Sequence, residues 1–439
     1  MTDPIVPANE PPLRRRFAGG RTSVAPALSV VGLLVAGLLT AQVYMHWTPT
    51  LSTAATPSPT TTPVPLVSGE TPTPAPTATA VTNLQISVPG TLVYSKGGNL
   101  WVQSGTTARQ ITQSVNGSLQ TQPAFSPDGQ WIYYIDTRTR LGWEYDWTYH
   151  NEIAHYTLNY PVLCRIHPDG TGQKDVLSSL VKVSVPKAYS PGLSFYWILE
   201  PSISPNGATA AVMSNGPSRP QGQDVVIHYV NLTTGKLGPA LPLNYTPFLG
   251  LSDPAFSPDG SILAYTMEGR TGSYVPTPSL WTYTGGVAHE LAAGYRAASW
   301  SPDGKYMAAT RVAGNTLNIA VLDARTGKLV DQVTTDGASW APVWSPDGDK
   351  LVYMHLSGPN VELNMVYISG TGPNFTFKIE PNLTDYSGLD GQSTAAWYVP
   401  GFGPTPAPSP TDTAGASGSA AAASPSPTVT APVISPSPS

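Results

Sequence analysis

One cysteine, Cys164, occurs in 439 residues, so no intramolecular disulfide is available and packing must supply the stability. PVLCRI around it reads as a buried strand. Charge is also scarce: Asp, Glu, Lys and Arg make up 11% of the chain and the formal net charge is −5. No Lys/Arg block stands outside the short flank of an apolar run near the amino terminus, which speaks against nucleic-acid binding. There is no G-x-S-x-G nucleophile elbow, no H-E-x-x-H and no cysteine pair. Of seven histidines only His150 and His155 stand close together, so the convergent His, Asp and Glu set of a hydrolase or lyase is not visible. Long apolar runs are missing too, with a single exception at residues 24–43.

What the chain has instead is a repeat. PAFSPDG (123–129), PSISPNG (201–207), PAFSPDG (254–260), ASWSPDG (298–304) and PVWSPDG (342–348) are near-copies of one heptapeptide. Their third residues, Phe125, Ile203, Phe256, Trp300 and Trp344, are separated by 78, 53, 44 and 44 positions. A period of about 44 residues is that of a four-stranded propeller blade. Pro presets φ, Asp bonds its own backbone and Gly accepts positive φ, so the motif is a tight turn. Strand-like runs follow each copy, among them QWIYYI, SILAYT, KYMAAT and DKLVYM, then VVIHYV, SLWTYT, LNIAVL and LNMVYI.

The two ends of the repeat region complement each other. TLVYS, NLWVQ and ARQIT (residues 91–113) supply the second, third and fourth strands of a blade that lacks a first. STAAWYV (393–399) supplies a first strand with nothing after it, and Trp397 lies 53 residues beyond Trp344. The expected fold is therefore all-β: a six-bladed β-propeller over residues 84–402, closed by a carboxy-terminal strand so that no sheet edge is left open at the seam.

These residues resemble the SPDG-centred repeat of TolB-like, WD-related propellers, a class also found as the non-catalytic portion of prolyl-oligopeptidase-type peptidases. The resemblance covers roughly residues 84–402 and implies fold, because propellers host binding, scaffolding and catalysis alike. TolB itself carries a separate amino-terminal domain before its propeller. Here an apolar run and a linker stand in that place, and the carboxy-terminal tail stands where a peptidase of this kind carries its hydrolase domain.

The flanking segments predict location. Residues 1–23 read as a cytoplasmic tail and residues 24–46 as a transmembrane signal anchor, its uncharged core long enough to cross about 30 Å of hydrocarbon. Arg14, Arg15, Arg16 and Arg21 precede the run, which keeps the amino terminus inside and exports the rest. A cleaved signal peptide is the rival reading, with Leu39-Thr40-Ala41 as a poor site. Residues 47–83, rich in Pro and Thr, read as a disordered linker with a reach of about 110 Å, and residues 403–439 as a disordered tail of similar composition. The expected product is a single-pass cell-membrane protein with an extracytoplasmic propeller.

The recurring Ser and Asp of the heptapeptide are assigned to the turn rather than to catalysis, since one role explains all copies. Two places invite a binding site. The spacing of 78 exceeds 44 by about 34 residues, divided between residues 137–160 and 181–198. The first of these stretches gathers Trp143, Tyr145, Trp147, Tyr149, His150 and His155, and long insertions with aromatic rings suit peptides or sugars. The same rings equally suit the packing of an enlarged blade. Asp146, His150 and His155 lack a diagnostic metal spacing, so no metal and no cofactor is assigned.

The second place comes from aligning the repeats. Three positions before each marker stand Gln122, Glu200, Asp253, Ala297, Ala341 and Thr394. On an innermost strand these line one mouth of the central channel, with Glu200 and Asp253 on neighbouring blades, as a cation-attracting pair or a solvated rim. The function expected is non-enzymatic binding or scaffolding of a protein, peptide or cell-envelope glycan. The alternative is a propeller hydrolase or lyase with its site at the channel mouth.

Overall fold

All five Ser-Pro-Asp/Asn-Gly segments form the same hydrogen-bonded circuit. Ser126, Ser204, Ser257, Ser301 and Ser345 each donate from Oγ to the Asp or Asn two residues on. Each Oγ also accepts the N–H of the residue five positions on, at 2.9–3.0 Å. The glycine closes the turn at φ between 68° and 86°, where a Cβ is unfavourable. The serines are buried and their hydroxyls are fully committed, which accounts for the Ser and Asp of the motif without catalysis.

The computed structural model describes residues 81–146, 152–216, 225–243, 250–269, 277–384 and 388–403. Among them every regular element is a strand except a short 3₁₀ turn, Lys187–Tyr189. Blade one holds β1 (Val81–Lys96) and β2 (Asn99–Gln110). Blade two holds β3 (Leu119–Phe125), β4 (Ile132–Asp146), β5 (Glu152–Ile166) and β6 (Lys174–Ser178). A separate two-stranded ribbon follows, β7 (Leu180–Lys182) with β8 (Leu193–Phe195).

Blade three is β9 (Ile198–Ile203), β10 (Thr209–Ser214), β11 (Val226–Asn231) and β12 (Lys236–Ala240). Blade four is β13 (Leu251–Phe256), β14 (Leu263–Met267), β15 (Ser279–Thr284) and β16 (Val287–Ala293). Blade five is β17 (Tyr295–Trp300), β18 (Tyr306–Ala313), β19 (Thr316–Asp323) and β20 (Leu329–Gln332). Blade six is β21 (Ser339–Trp344), β22 (Lys350–Ser357), β23 (Asn360–Thr371) and β24 (Asn374–Glu380). The last strand, β25 (Ala396–Tyr398), returns to blade one and pairs with β1, Trp397 opposite Leu92.

The closing sheet has the order β2-β1-β25, one strand fewer than its neighbours. Yet the Ile111 N–H donates to Leu100 O at 2.9 Å, across a span that a straight strand would separate by about 36 Å. Gly105, at φ 58°, is where β2 doubles back. The same bond, Val333 to Ile319 and Leu383 to Leu363, marks the outer side of blades five and six. ARQIT thus occupies the place of the fourth strand expected from sequence.

Apolar residues divide into six buried clusters, one for each gap between adjacent blades. Val93, Leu100, Ile132 and Tyr134 fill the gap between blades one and two. Leu92, Tyr94, Met354, Leu363 and Trp397 fill the gap between six and one. The remaining four gaps are filled in the same manner. Six gaps filled around a circle define a closed six-bladed propeller, and the first strand of each blade touches the first strand of the next around its channel.

Among the described residues no helix is long and apolar enough to cross a membrane. Residues 24–46, the linker up to residue 80 and the tail from residue 404 lie outside the described residues.

Candidate functional site

The innermost strands of blades two to six each carry a bulge at one repeat position; Thr394, the sixth position, lies just before β25 and has no left-handed φ. Gln122, Glu200, Asp253, Ala297 and Ala341 have φ of 49–53°, a left-handed conformation costly for residues with a Cβ. The strand register slips beside each of them. The bulge removes the N–H from its own sheet and turns it toward the preceding blade. Gln122 N–H donates to Ser393 Oγ (2.7 Å), Glu200 N–H to Gln122 Oε1 (3.0 Å) and Asp253 N–H to Glu200 Oε2 (2.7 Å). Ala297 N–H and Ala341 N–H donate to Thr266 Oγ1 (3.1 Å) and Thr310 Oγ1 (2.9 Å). The ring of positions picked out by the repeat is therefore a chain of blade-to-blade ties.

Glu200 and Asp253 do come together, and with two partners not singled out from sequence. The Arg296 guanidinium lies 2.9 Å from Glu268 Oε1 and 3.4 Å from Asp253 Oδ2. Ser252 donates to both Asp253 and Glu268. Arg296 immediately precedes a ring position, and that adjacency was the available signal. Two carboxylates thus share one guanidinium, with the Glu200 carboxyl tied to Asp253 beside them. Burial, then the negative charge of Asp253, pushes the Glu200 carboxyl up to about 8. Burial disfavours the charge on Arg296, but Asp253, Glu268 and Glu200 outweigh it and hold the guanidinium pKa above its ordinary value.

This predicts a pH dependence with a definite sign. Folded Glu200 holds its proton more tightly than the unfolded chain, whose ordinary value is 4.5. Its contribution to stability is fully present below that value and is lost as pH rises through about 8. Thermal melts should fall by several degrees between about pH 5 and about pH 8 in the wild type. Glu200→Gln keeps an oxygen for the Asp253 N–H and should lose that part of the slope; an unchanged profile would contradict the assignment.

The blade-two insertion is not a loop, as its length suggested, but a continuation of β4 and β5. The two strands pair without a slip from Ile132–Ile166 to Asp146–Glu152, because Leu141, Trp143 and Tyr145 alternate against Ile153, His155 and Thr157 as strand faces do. With 15 residues, β4 exceeds the eight of β18 or β22 and extends roughly 20 Å further. It starts after an SPDG turn, so it projects from the opposite end of the ring.

Trp143 stacks on His155, with centroids 4.5 Å apart, and meets Tyr189 edge-on at 5.1 Å. The Trp143 N–H donates to Pro191 O at 3.0 Å, and Gly142 lies against Leu193. The two halves of the excess sequence, separated along the chain, thus pack on each other. Trp197 is 41% exposed and edge-on to Phe195 at 5.2 Å; Leu141 is 58% exposed. Tyr145 lies in β4 opposite Ile153, while Trp147, Tyr149 and His150 fall outside the described residues. Among the described residues no hydrogen bond or ring contact joins Trp143 or Trp197 to Glu200 or Asp253.

Two further groupings have the composition of a site without its geometry. Ser339 Oγ lies 2.9 Å from both Asp336 oxygens and 3.2 Å from His355 Nδ1, while Asp336 Oδ2 is 3.7 Å from that same nitrogen. A catalytic triad places nucleophile and acid on different imidazole nitrogens, and Ser339 is wholly buried, so this is a clasp at the start of β21. At the SPDG end, Gly129, Gln130, His167 and Asp169 line a shallow hollow. The adjacent Trp131 ring stacks on His167 at 3.6 Å and meets the Arg165 guanidinium at 4.1 Å. Among the described residues no group of three or more His, Cys, Asp or Glu is placed to hold a metal ion.

No protein-family model matches the chain, and no curated protein matches it. Solved structures do. TolB from Acinetobacter baumannii aligns at 17% identity over 70% of this chain and 65% of that one, with a TM-score of 0.46. This chain thus spans less than two thirds of that protein. A chain of a nidogen/laminin complex aligns at 10% identity, covering 70% of this chain and 96% of its own, with a TM-score of 0.44. Oligogalacturonate lyase from Vibrio parahaemolyticus aligns at 13% identity over 68% and 80%, with a TM-score of 0.40. Similarity at this level concerns the fold alone.

Proposed function

We propose that this chain is a membrane-tethered, extracytoplasmic propeller that binds a protein, peptide or envelope glycan without catalysis, through the end of the ring opposite its SPDG turns. The observation that carries the reading is the composite insertion of blade two. β4, β5, the β7–β8 ribbon and the 3₁₀ turn form one projecting structure, with Leu141, Trp143, His155, Tyr189 and Trp197 on or near it. Aromatic side chains that gain a partner's cover dominate interface energetics.

Connectivity agrees with this choice of face. Val81 pairs with Arg109, whose guanidinium donates to Pro168 and Asp169 O in a turn of the SPDG end, and Gly403 lies against Pro127 of an SPDG turn. The chain enters and leaves the propeller there, at the end away from the insertion. The enzymatic alternative has its best candidate in Glu200, whose raised pKa suits an acid near neutrality, but one of its oxygens is committed to the Asp253 amide. The raised pKa is a product of burial and of the neighbouring Asp253 charge, and the ring tie itself pulls it back down.

Replacing Leu141 and Trp197 with Ser should abolish capture of the native envelope partner. Both are surface positions, so the melting temperature should move by no more than about 2 °C. Unimpaired capture by this variant would remove the insertion from the binding surface.

A further inference from the structure

The outer edge of β5 has a backbone polarity that can be followed residue by residue. Trp143 and His155 stand directly opposite one another, and the Trp143 N–H points away from β5 to Pro191 O. In an antiparallel pair of that kind both residues turn their N–H and C=O outward. His155 therefore presents its backbone groups to the far side, and so do Ile153, Thr157 and Asn159, two residues apart. Pro161, next in the series, confirms the parity by accepting the Ser179 N–H at 3.2 Å, and β6 covers the edge from Val162 onward. Between Ile153 and Asn159 four N–H and four C=O groups face outward, and among the described residues no strand pairs with them. His155 and Thr157 are exposed; Ile153 and Asn159 are half-buried.

This edge differs from the outermost strands of blades two to six. Each of those carries a charge or a proline: Lys174 and Asp175 in β6, Lys236 and Pro239 in β12, Glu290 in β16, Asp331 in β20, Lys378 and Glu380 in β24. Such residues guard an edge against pairing with another chain. The β5 stretch, Ile-Ala-His-Tyr-Thr-Leu-Asn, has no Lys, Arg, Asp, Glu or Pro, and its register with β4 has no bulge.

We propose that this edge pairs with the same edge of a second copy, joining two propellers through a continuous β4-β5-β5-β4 sheet. A two-fold axis at Tyr156 sets Ile153 opposite Asn159 and His155 opposite Thr157. All four are of the outward parity, so each outward N–H meets a C=O of the other copy. The pairing is isologous and closes on itself. It also sets the tip of one hairpin, with Glu144, Asp146 and Glu152 in its sequence, toward the Arg140 end of the other; Arg138, nearby, is already paired with Asp136 and Asp175 of its own copy. A foreign strand would meet the same backbone groups, but nothing on the edge selects it, whereas the second copy is complementary by symmetry.

The contact is one strand wide, so the association belongs at the weak end of the scale, in the micromolar range. Sedimentation of the purified full-length protein in nonionic detergent, from about 1 to about 100 µM, should show a monomer–dimer equilibrium. Thr157→Pro deletes one outward N–H and should weaken dimerisation by about tenfold or more, while Thr157→Val, which keeps the N–H, should not. The double variant His155→Lys, Thr157→Lys puts charges on the edge without touching the backbone and should be monomeric throughout. A wild type that stays monomeric at the highest concentration, or a lysine variant that dimerises like the wild type, would overturn the proposal.

Discussion

Deleting residues 382–439 will unfold the propeller at temperatures where the wild type is native, whereas deleting residues 404–439 will leave its melting temperature within about 1 °C of wild type. The first deletion removes β25, which completes the sheet of blade one, and strips four anchoring residues from the seam. Trp397 is 7% exposed in the cluster it shares with Leu92, Tyr94, Met354 and Leu363, and its Nε1–H donates to Pro89 O at 2.8 Å. Ser393 Oγ accepts the Gln122 N–H and begins the chain of channel ties. Leu383 and Leu389 leave the same core. Trp397→Ala alone should cost about 3–5 kcal/mol by the measure of large-to-small core changes, and the whole deletion more. It also leaves the inner edge of β1 open and prone to intermolecular pairing. Urea denaturation of the three proteins checks the ranking.

Arg296→Gln will destabilise the ring by about 1–3 kcal/mol, and by more at pH 8 than at pH 5. The guanidinium, from blade five, is the shared counter-charge of Asp253 and Glu268 in blade four, and its loss leaves those two carboxylates facing one another. Its side chain is 38% exposed, so solvent moderates the effect below that of a fully buried pair. Ionisation of Glu200, favoured only as pH approaches about 8, adds a further negative charge to a site that no longer holds a cation. Adding Glu200→Gln to the Arg296 variant should restore part of the loss at pH 8. A double-mutant cycle with no coupling would separate the two residues energetically and contradict the shared network.

The ring of blades was legible because its cause is local. Ser, Pro, Asp and Gly at fixed offsets make a turn whatever surrounds them, and the 44-residue return of that turn gives the architecture. Closure was legible as well, since Trp397 falls where the missing first strand of blade one had to be. The positions of Glu200 and Asp253 on the channel followed from alignment of the copies.

Their conformation did not. A left-handed residue is usually announced by Gly or Asn, and here the five positions hold Gln, Glu, Asp, Ala and Ala, forced into that geometry by the bond each N–H makes to the preceding blade. Glu268 and Arg296 were missed because each sits at a repeat offset of its own, and they meet only when two blades are set side by side. The hairpin was hidden by its aromatic and charged composition, which resembles a loop insertion. The alternation of Leu141, Trp143 and Tyr145 against Ile153, His155 and Thr157 was the signal for paired strands. That Pro191 and Tyr189 would lie against Trp143, some 46 residues earlier in sequence, is a tertiary contact with no local trace.

The most direct test of a binding surface opposite the SPDG turns is site-specific photo-crosslinking of the full-length protein in its native membrane. A photoreactive residue placed at Leu141 or Trp197 should give an adduct with a second protein or a glycan, distinct in mass from any self-adduct, while the same residue at Gln130 or Lys305, beside SPDG turns, should give none. Adducts from Gln130 and Lys305 with none from Leu141 or Trp197 would place recognition at the other end of the ring and contradict the account.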